Sequence, residues 1–410
     1  MKIHACRLCG NPVRECLDIG SMALAGFFPQ TKEEAVKELP LMLCSCDTCH
    51  LVQLCHDFDL DELYGINYGY CSSLNNSMVN HLDDIRQFLE KQVSLEAGDV
   101  VVDIGSNDGT LLNQYQDRTV KYYGIDPTAH KFIENHKADI TVLGSFFDGD
   151  VFKEVCPEKV KIVSTISMFY DLPSPLKFSQ EVCDILHDDG VWFMEHSYLV
   201  SMIENMAYDT ICHEHVEYYS LRPILYIAHE CGLKVVNISL NDTNGGSFAL
   251  LLAKNSNSRF VECTEKIEKI LEKEEKFFND ETFKNFEQQI KERSSHIVDT
   301  LEALIEEGNV IHGYGASTKG NIVLQYCNIT ETLIPHIAEV NEYKFGRYTP
   351  GTKIPIISES ESRAMEPDYY FVLPWHYKTN ILRKEKEFIK AGTKFIFPFP
   401  EFEIIDKENV

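Results

Sequence analysis

No stretch of this sequence approaches the roughly 20 consecutive apolar residues that a membrane-spanning helix requires. That argues against an integral membrane protein. The opening Met-Lys-Ile-His-Ala-Cys-Arg has no apolar signal core, so the expectation is a cytoplasmic protein. Positive charge is also scarce: 38 Lys and Arg stand against 64 Asp and Glu, a formal net charge of −26. Such a surface argues against a nucleic-acid or anionic-membrane partner, and an anionic small molecule would need a locally basic pocket. What remains is a chain of 410 residues, 44% hydrophobic and 25% charged, long enough for two or three globular domains.

The most informative stretch is Asp99–Leu112, Asp-Val-Val-Val-Asp-Ile-Gly-Ser-Asn-Asp-Gly-Thr-Leu-Leu. Its β-branched run reads as a buried parallel strand, Gly105 and Gly109 bracket a tight loop, and Thr110 opens a helix. A strand, glycine loop and helix N-terminus cradle adenine-nucleotide-type ligands. The third glycine of a dinucleotide fingerprint is missing, and Asp103 in the turn would repel a pyrophosphate but suits a cationic ligand. The next strand-like run ends in Asp126-Pro127, near the separation at which an acid meets a ribose diol. Asp103-x-Gly-Ser-Asn-Asp-Gly resembles the first motif of class I S-adenosylmethionine methyltransferases, and with the second acid that resemblance implies a methyl-donor site using Asp103, Gly105, Ser106, Asn107, Asp126 and Pro127. Phe146 and Ser167 are expected beyond the ends of later strands.

Seven of the 14 cysteines precede residue 56, and in a cytosolic chain such clustering suggests metal before disulfides. Cys6-x-x-Cys9 and Cys46-x-x-Cys49 can complete a four-thiolate, structural Zn(II) site. The interval between them exceeds that of a zinc ribbon, so an insertion must project there. Cys44 is a competing ligand.

The segment after the knuckles carries Tyr64, Tyr68, Tyr70 and a serine run leading to His81; its hydroxyls suit a sugar or an interdomain strap. From Asp99 to about Lys254, strand-like runs alternate with helical ones: Ile140–Leu143, Val160–Ile166, Val191–Glu195, Leu233–Leu240 and Phe248–Leu252. That pattern predicts a doubly wound α/β sheet with an antiparallel finish. Within it, Cys212-His213-Glu214-His215 and the tyrosines that follow form an acid/base cluster, or a metal site of weaker spacing. Side chains two apart on an extended loop share a side, so His213 and His215 are both expected at the pocket. A charged stretch follows, with Asn279 capping a helix whose apolar stripe runs from Phe283 to Leu304 and Gly308 ending it. Gly313-Tyr-Gly315-Ala-Ser-Thr-Lys319-Gly320 then opens a second Rossmann-like unit whose glycine turn and Lys319 suit a phosphate. The expected divisions are residues 1–66 (zinc-binding), 67–254 (methyl-donor-binding), 255–308 (helical connector) and 309–410 (C-terminal).

Taken together, these motifs resemble the sugar C-methyltransferase family, which methylates nucleotide-linked keto-deoxysugars. The likeness covers nearly the whole chain. It rests on the cysteine knuckles, Tyr68-x-Tyr70-x-Ser-Ser, Asp103-x-Gly-Ser-Asn-Asp-Gly, His213-Glu-His-x-x-Tyr-Tyr-Ser, Gly245-Gly-Ser, Gly313-Tyr-Gly-Ala-x-x-Lys-Gly, Lys344-x-Gly-Arg347 and Leu373-Pro-Trp375. The resemblance implies a zinc-binding head, a class I methyltransferase domain using S-adenosylmethionine, and a Rossmann-like C-terminal domain. It implies a base at His215 with Glu214 beside it; Tyr70 and His213 are candidate enolate donors. Tyr68, Asn244, Lys319, Arg347 and Trp375 are expected on the acceptor side. Three positions depart from the family: Cys212 replaces a tyrosine, Asn244 replaces the histidine before the paired glycines, and Ala249 takes the place of an arginine two positions after Ser247. O- or N-methylation of a related small molecule is the alternative activity.

Overall fold

The computed structural model describes residues 2–58 and 71–410. Strands are numbered in chain order. β1 (Arg14–Ala23), β2 (Glu38–Ser45) and β3 (Val52–Leu54) form an antiparallel N-terminal sheet, joined at the free side of β3 by β9 (Glu217–Tyr218) from far along the chain. The β1–β2 hairpin fills the long interval between the cysteine knuckles. Along β1 the buried Leu17 and Ile19 alternate with exposed Asp18 and Gly20, as expected of a sheet with one wet face.

The central sheet has the order β10-β11-β8-β7-β4-β5-β6, with β4 (Val100–Ile104), β5 (Lys121–Ile125), β6 (Ile140–Leu143), β7 (Val160–Ile166), β8 (Leu186–Ser197), β10 (Leu233–Asn241) and β11 (Ser247–Lys254). β4 to β8 are parallel; β10 and β11 run antiparallel. This is the expected doubly wound sheet with its antiparallel finish. Every residue of β4 is buried, because helices cover both faces of a parallel sheet. β8 starts earlier than its apolar run suggests: Leu186 pairs with Val160 across a register irregularity, so three polar residues, His187 to Asp189, ride within the strand. The chain leaves β4 in opposite directions towards β5 and β7. That reversal opens a crevice at the strands' carboxyl ends.

The C-terminal sheet is doubly wound as well, in the order β14-β13-β12-β15-β16-β17, and only β17 is antiparallel. Its strands are β12 (Ile311–Tyr314), β13 (Ile337–Glu339), β14 (Ile356–Ser358), β15 (Tyr369–Val372), β16 (Lys394–Phe397) and β17 (Glu403–Ile405). The helix Asp280–Glu306 begins where Asn279 accepts the Thr282 amide at 2.9 Å and stops before Gly308, whose φ of +89° suits glycine alone. Its stripe residues Phe286, Ile290, Ile297 and Leu301 are wholly buried, each contributing about 1.5–3 kcal/mol. They share one core with Leu41 and Leu43 of the N-terminal sheet and Ile311 and Phe371 of the C-terminal sheet. The charged stretch therefore packs as a wedge between two sheets. Among the described residues, no helix is long and apolar enough to cross a membrane.

Candidate active site and zinc centre

The Sγ atoms of Cys6, Cys9, Cys46 and Cys49 lie within 4.8 Å of one another. Cys6 and Cys49 are 3.4 Å apart, Cys9 and Cys46 3.5 Å. Four thiolates around Zn(II) at 2.3 Å stand roughly 3.8 Å apart, so the set fits a tetrahedral ion and leaves no open position. Cys44 is not a competing ligand. It forms a disulfide with Cys55, Cα to Cα 5.4 Å, which also corrects the expectation that these cysteines serve metal rather than disulfides. The pairing of β2 with β3, which sets Cys44 against Gln53, brings the two together.

A cavity of about 370 Å³ opens at the carboxyl ends of β4, β5 and β7. Asp103, Gly105, Ser106, Asn107, Asp126, Pro127, Phe146 and Ser167 all line it, joined by Ser72, Thr128 and Asp171. Gly105 has φ +80°, and a Cβ there would lie 2.7 Å from Met168 Cγ, so the tight turn needs glycine twice over. Asp126 accepts from the Asn107 amide at 2.9 Å and from the amide and hydroxyl of Thr128 at 2.6 Å each. Asp103 accepts from Ser164 Oγ at 2.6 Å. Burial, with the Asp126 charge in the same direction, pushes its carboxyl up to about 7. A cationic donor would relieve that cost.

Across the Phe169–Asp171 turn from this cavity lies the loop before β9. His215 Nδ1 donates to the Thr210 carbonyl at 2.9 Å, and its ring centre is 4.3 Å from that of Tyr170. With Nδ1 protonated, Nε2 holds the lone pair. Burial and then the positive charge of Lys319 pull the imidazole down to about 3, so it is neutral at ordinary pH. His213 points elsewhere. Its Nε2 donates to the Leu39 carbonyl at 3.0 Å and its ring packs edge-on to Phe58. The expected shared side fails because the loop is not extended: it bends at 213–214, and the His215 amide donates to the Cys212 carbonyl at 3.2 Å. Burial holds His213 near 4, and it faces the N-terminal sheet. Glu214 is buried, which raises its pKa, and hydrogen bonds from Cys212 and the Gly26 backbone oppose that. Its Oε1 lies 2.4 Å from where a Cβ on Gly26 would be, and Thr318 Oγ1 is 3.9 Å from the same point. All three sheets thus send segments to Glu214.

On the acceptor side the structure joins Asn244, Lys319 and Trp375. Asn244 donates through Nδ2 to Ser167 Oγ at 3.1 Å, and its carbonyl accepts from Lys319 Nζ at 2.8 Å. Trp375 lies against Gly245 and donates through Nε1 to Asp209 at 2.8 Å. Arg347 is held apart from these three, donating to the carbonyls of Tyr343 at 2.7 Å and Phe28 at 3.2 Å. Tyr68 and Tyr70 lie outside the described residues. Sequence reasoning passed over Asp209 and Tyr170, whose roles rest on long-range neighbours, and over Gly26, an isolated glycine with no motif around it.

Family models match three consecutive segments. One named for zinc binding covers residues 6–64, a methyltransferase domain covers 77–238, and a C-methyltransferase C-terminal domain covers 242–400. C-methyltransferase NovU from Streptomyces niveus is 29% identical over 414 residues, spanning 99% of this chain and 98% of that protein. Among solved structures, an S-adenosylmethionine-dependent methyltransferase from Clostridium acetobutylicum is 9% identical with TM-score 0.34, covering 43% of this chain and 92% of its own. Coclaurine N-methyltransferase is 12% identical with TM-score 0.34, covering 45% and 74%. With its four-thiolate head, its class I methyltransferase sheet and its C-terminal domain, this chain is similar to a C-methyltransferase along nearly its whole length and is an S-adenosylmethionine-dependent methyltransferase.

Proposed function

We propose that the chain methylates a carbon of a nucleotide-linked keto-deoxysugar. The observation that carries this reading is the state of His215: Nδ1 is committed to Thr210, and Nε2 is left as a neutral acceptor. A C–H beside a ketone is the proton that Nε2 would take, and because an imidazole held near 3 is a weak base, stabilisation of the enolate oxygen must carry much of the step. S-adenosylmethionine, when bound, supplies an electrophilic methyl on a sulfonium. His215 takes the α-proton at Nε2. The Lys319 cation disfavours imidazolium in the resting site and favours negative charge on the acceptor, and the Tyr70 hydroxyl is a second candidate for the enolate oxygen. Glu214 orients the loop or a substrate hydroxyl, while His213 secures the loop to the N-terminal sheet. Asn244, Lys319 and Trp375 take the acceptor, and Tyr68 and Arg347 are further candidates for it. A net charge of −26 supports a small-molecule acceptor over a nucleic acid or membrane partner.

The test is solvent exchange. A nucleotide-linked 4-keto-deoxysugar incubated with the enzyme in D2O, without donor, should gain deuterium at the α-carbon, and His215→Asn should abolish this. Absence of exchange, with the methyl found on oxygen or nitrogen after turnover, would replace carbon by heteroatom methylation.

A further inference from the structure

Two side chains used by no step above, the half-buried His81 and the buried Glu195, form a pair behind the acceptor side. Glu195 lies near the end of β8 and is 1% exposed. Its Oε1 accepts from His81 Nε2, on the helix Asn76–Gln92, at 2.6 Å. Its Oε2 accepts from Asn241 Nδ2 at 2.8 Å. Asn241 closes β10 and uses its other side-chain atom, Oδ1, to accept the Thr243 amide at 2.9 Å. That bond starts the Thr243–Gly245 turn, whose Thr243 Oγ1 also lies 3.4 Å from His81 Nε2. Asn244 sits in the turn with φ 55°, a left-handed conformation that needs support from its surroundings.

The turn connects two parts of the site. Asn244 reaches Ser167 at the rim of the donor cavity with its side chain and Lys319 of the C-terminal unit with its carbonyl. Ser167 is itself left-handed, at φ 53°, and its amide donates to the Glu195 carbonyl at 2.7 Å. Glu195 therefore holds Ser167 by its main chain and the Asn244 turn by its side chain. Apolar neighbours such as Phe193 and Leu251 line the same region, and packing alone would be served as well by another of them. Desolvating a carboxylate costs several kcal/mol that only well-made hydrogen bonds offset. The pair is tightly made. Burial works against a charged His81, but Glu195 outweighs it and raises the imidazole's pKa.

We propose that Glu195 is a positioning residue which, through Asn241, sets the Thr243–Gly245 turn so that Asn244 fixes the acceptor relative to the methyl donor. This rests on the reading of Asn244 as an acceptor-side residue. The test exchanges the polarity of one hydrogen bond. Asn241→Asp places a second carboxylate against Glu195. Adding Glu195→Gln restores a donor–acceptor pair and keeps the acceptor for the Thr243 amide. With thymidine-diphosphate-linked 4-keto-6-deoxyglucose as acceptor probe, Asn241→Asp should raise acceptor KM roughly tenfold, and the double variant should return most of it. Donor affinity by calorimetry should stay within about twofold throughout. Amide exchange at Gly245 and Gly246 should rise in the single variant and recover in the double one. If KM and exchange in Asn241→Asp match wild type while Asn244→Ala raises KM, the proposal fails and the reading of Asn244 stands. If Asn244→Ala leaves KM unchanged, that reading fails and takes the proposal with it. Loss of donor and acceptor binding in step with Tm, without recovery in the double variant, would make Glu195 a purely structural residue.

Discussion

His213 and His215 are two residues apart, and the hydrogen bonds each makes divide the labour between them. His215→Asn should lower kcat by roughly 10²–10⁴ with donor and acceptor binding nearly intact, because it removes only the proposed proton acceptor. His213→Asn should instead cost stability, about 1–3 kcal/mol, by leaving the part-buried Leu39 carbonyl without its donor. Turnover measured beside Tm in both variants separates the roles; a dead His213 variant with unchanged Tm would reverse them. Asp103 gives a prediction in pH. Its carboxyl is near 7 when folded and about 3.9 when unfolded. The folded state therefore holds a proton that the unfolded state has lost, and stability falls as pH rises through that window. A bound cation reverses the preference, so donor binding should release a proton below about pH 7. Calorimetry in two buffers of different ionisation enthalpy would show it, and Asp103→Asn should remove both effects. The residues around the donor cavity could be read from sequence because two strand–loop–helix units fix them by local spacing. The division between the histidines could not, since it turns on a bend and on a carbonyl in β2.

Among the elements, the strands of the central sheet and the helix Asp280–Glu306 were written in periodicity, apolar runs and caps, signals that act over a few residues. β9 was not. Two residues long, it exists only because the edge of β3 accepts it, and no local pattern announces such a pairing. The Cys44–Cys55 disulfide escaped for the same reason, being set by the register of β2 on β3. Gly26 belongs with them, since its importance comes from Glu214, far along the chain. Gly26→Ala should drive the Glu214 carboxylate from its place while leaving the surrounding sheet formed. We expect kcat to fall by roughly tenfold or more with Tm nearly unchanged. Equal loss in both would make the contact a matter of packing alone.

At the scale of the whole molecule, the zinc-binding head and the loop that carries His215 are one piece of structure. The Leu54 amide donates to the Val216 carbonyl at 2.9 Å, and β3 pairs with β9 immediately after the second knuckle. Metal analysis should find one Zn(II) per chain, lost in Cys6→Ser/Cys9→Ser. Hydrogen exchange across residues 212–219 should quicken in that variant while Val100–Ile104 stays protected. Unchanged exchange in the loop would make the head a separate body.

The borrowed strand also bears on how the protein is made. The N-terminal sheet cannot close until the ribosome has delivered Glu217 and Tyr218, so for most of the synthesis of the central domain β3 presents a bare row of amides and carbonyls. A fragment ending at residue 66 would keep that open edge permanently. Expressed alone, it should pair with its own copies, whereas a chain released after β9 carries its own cover.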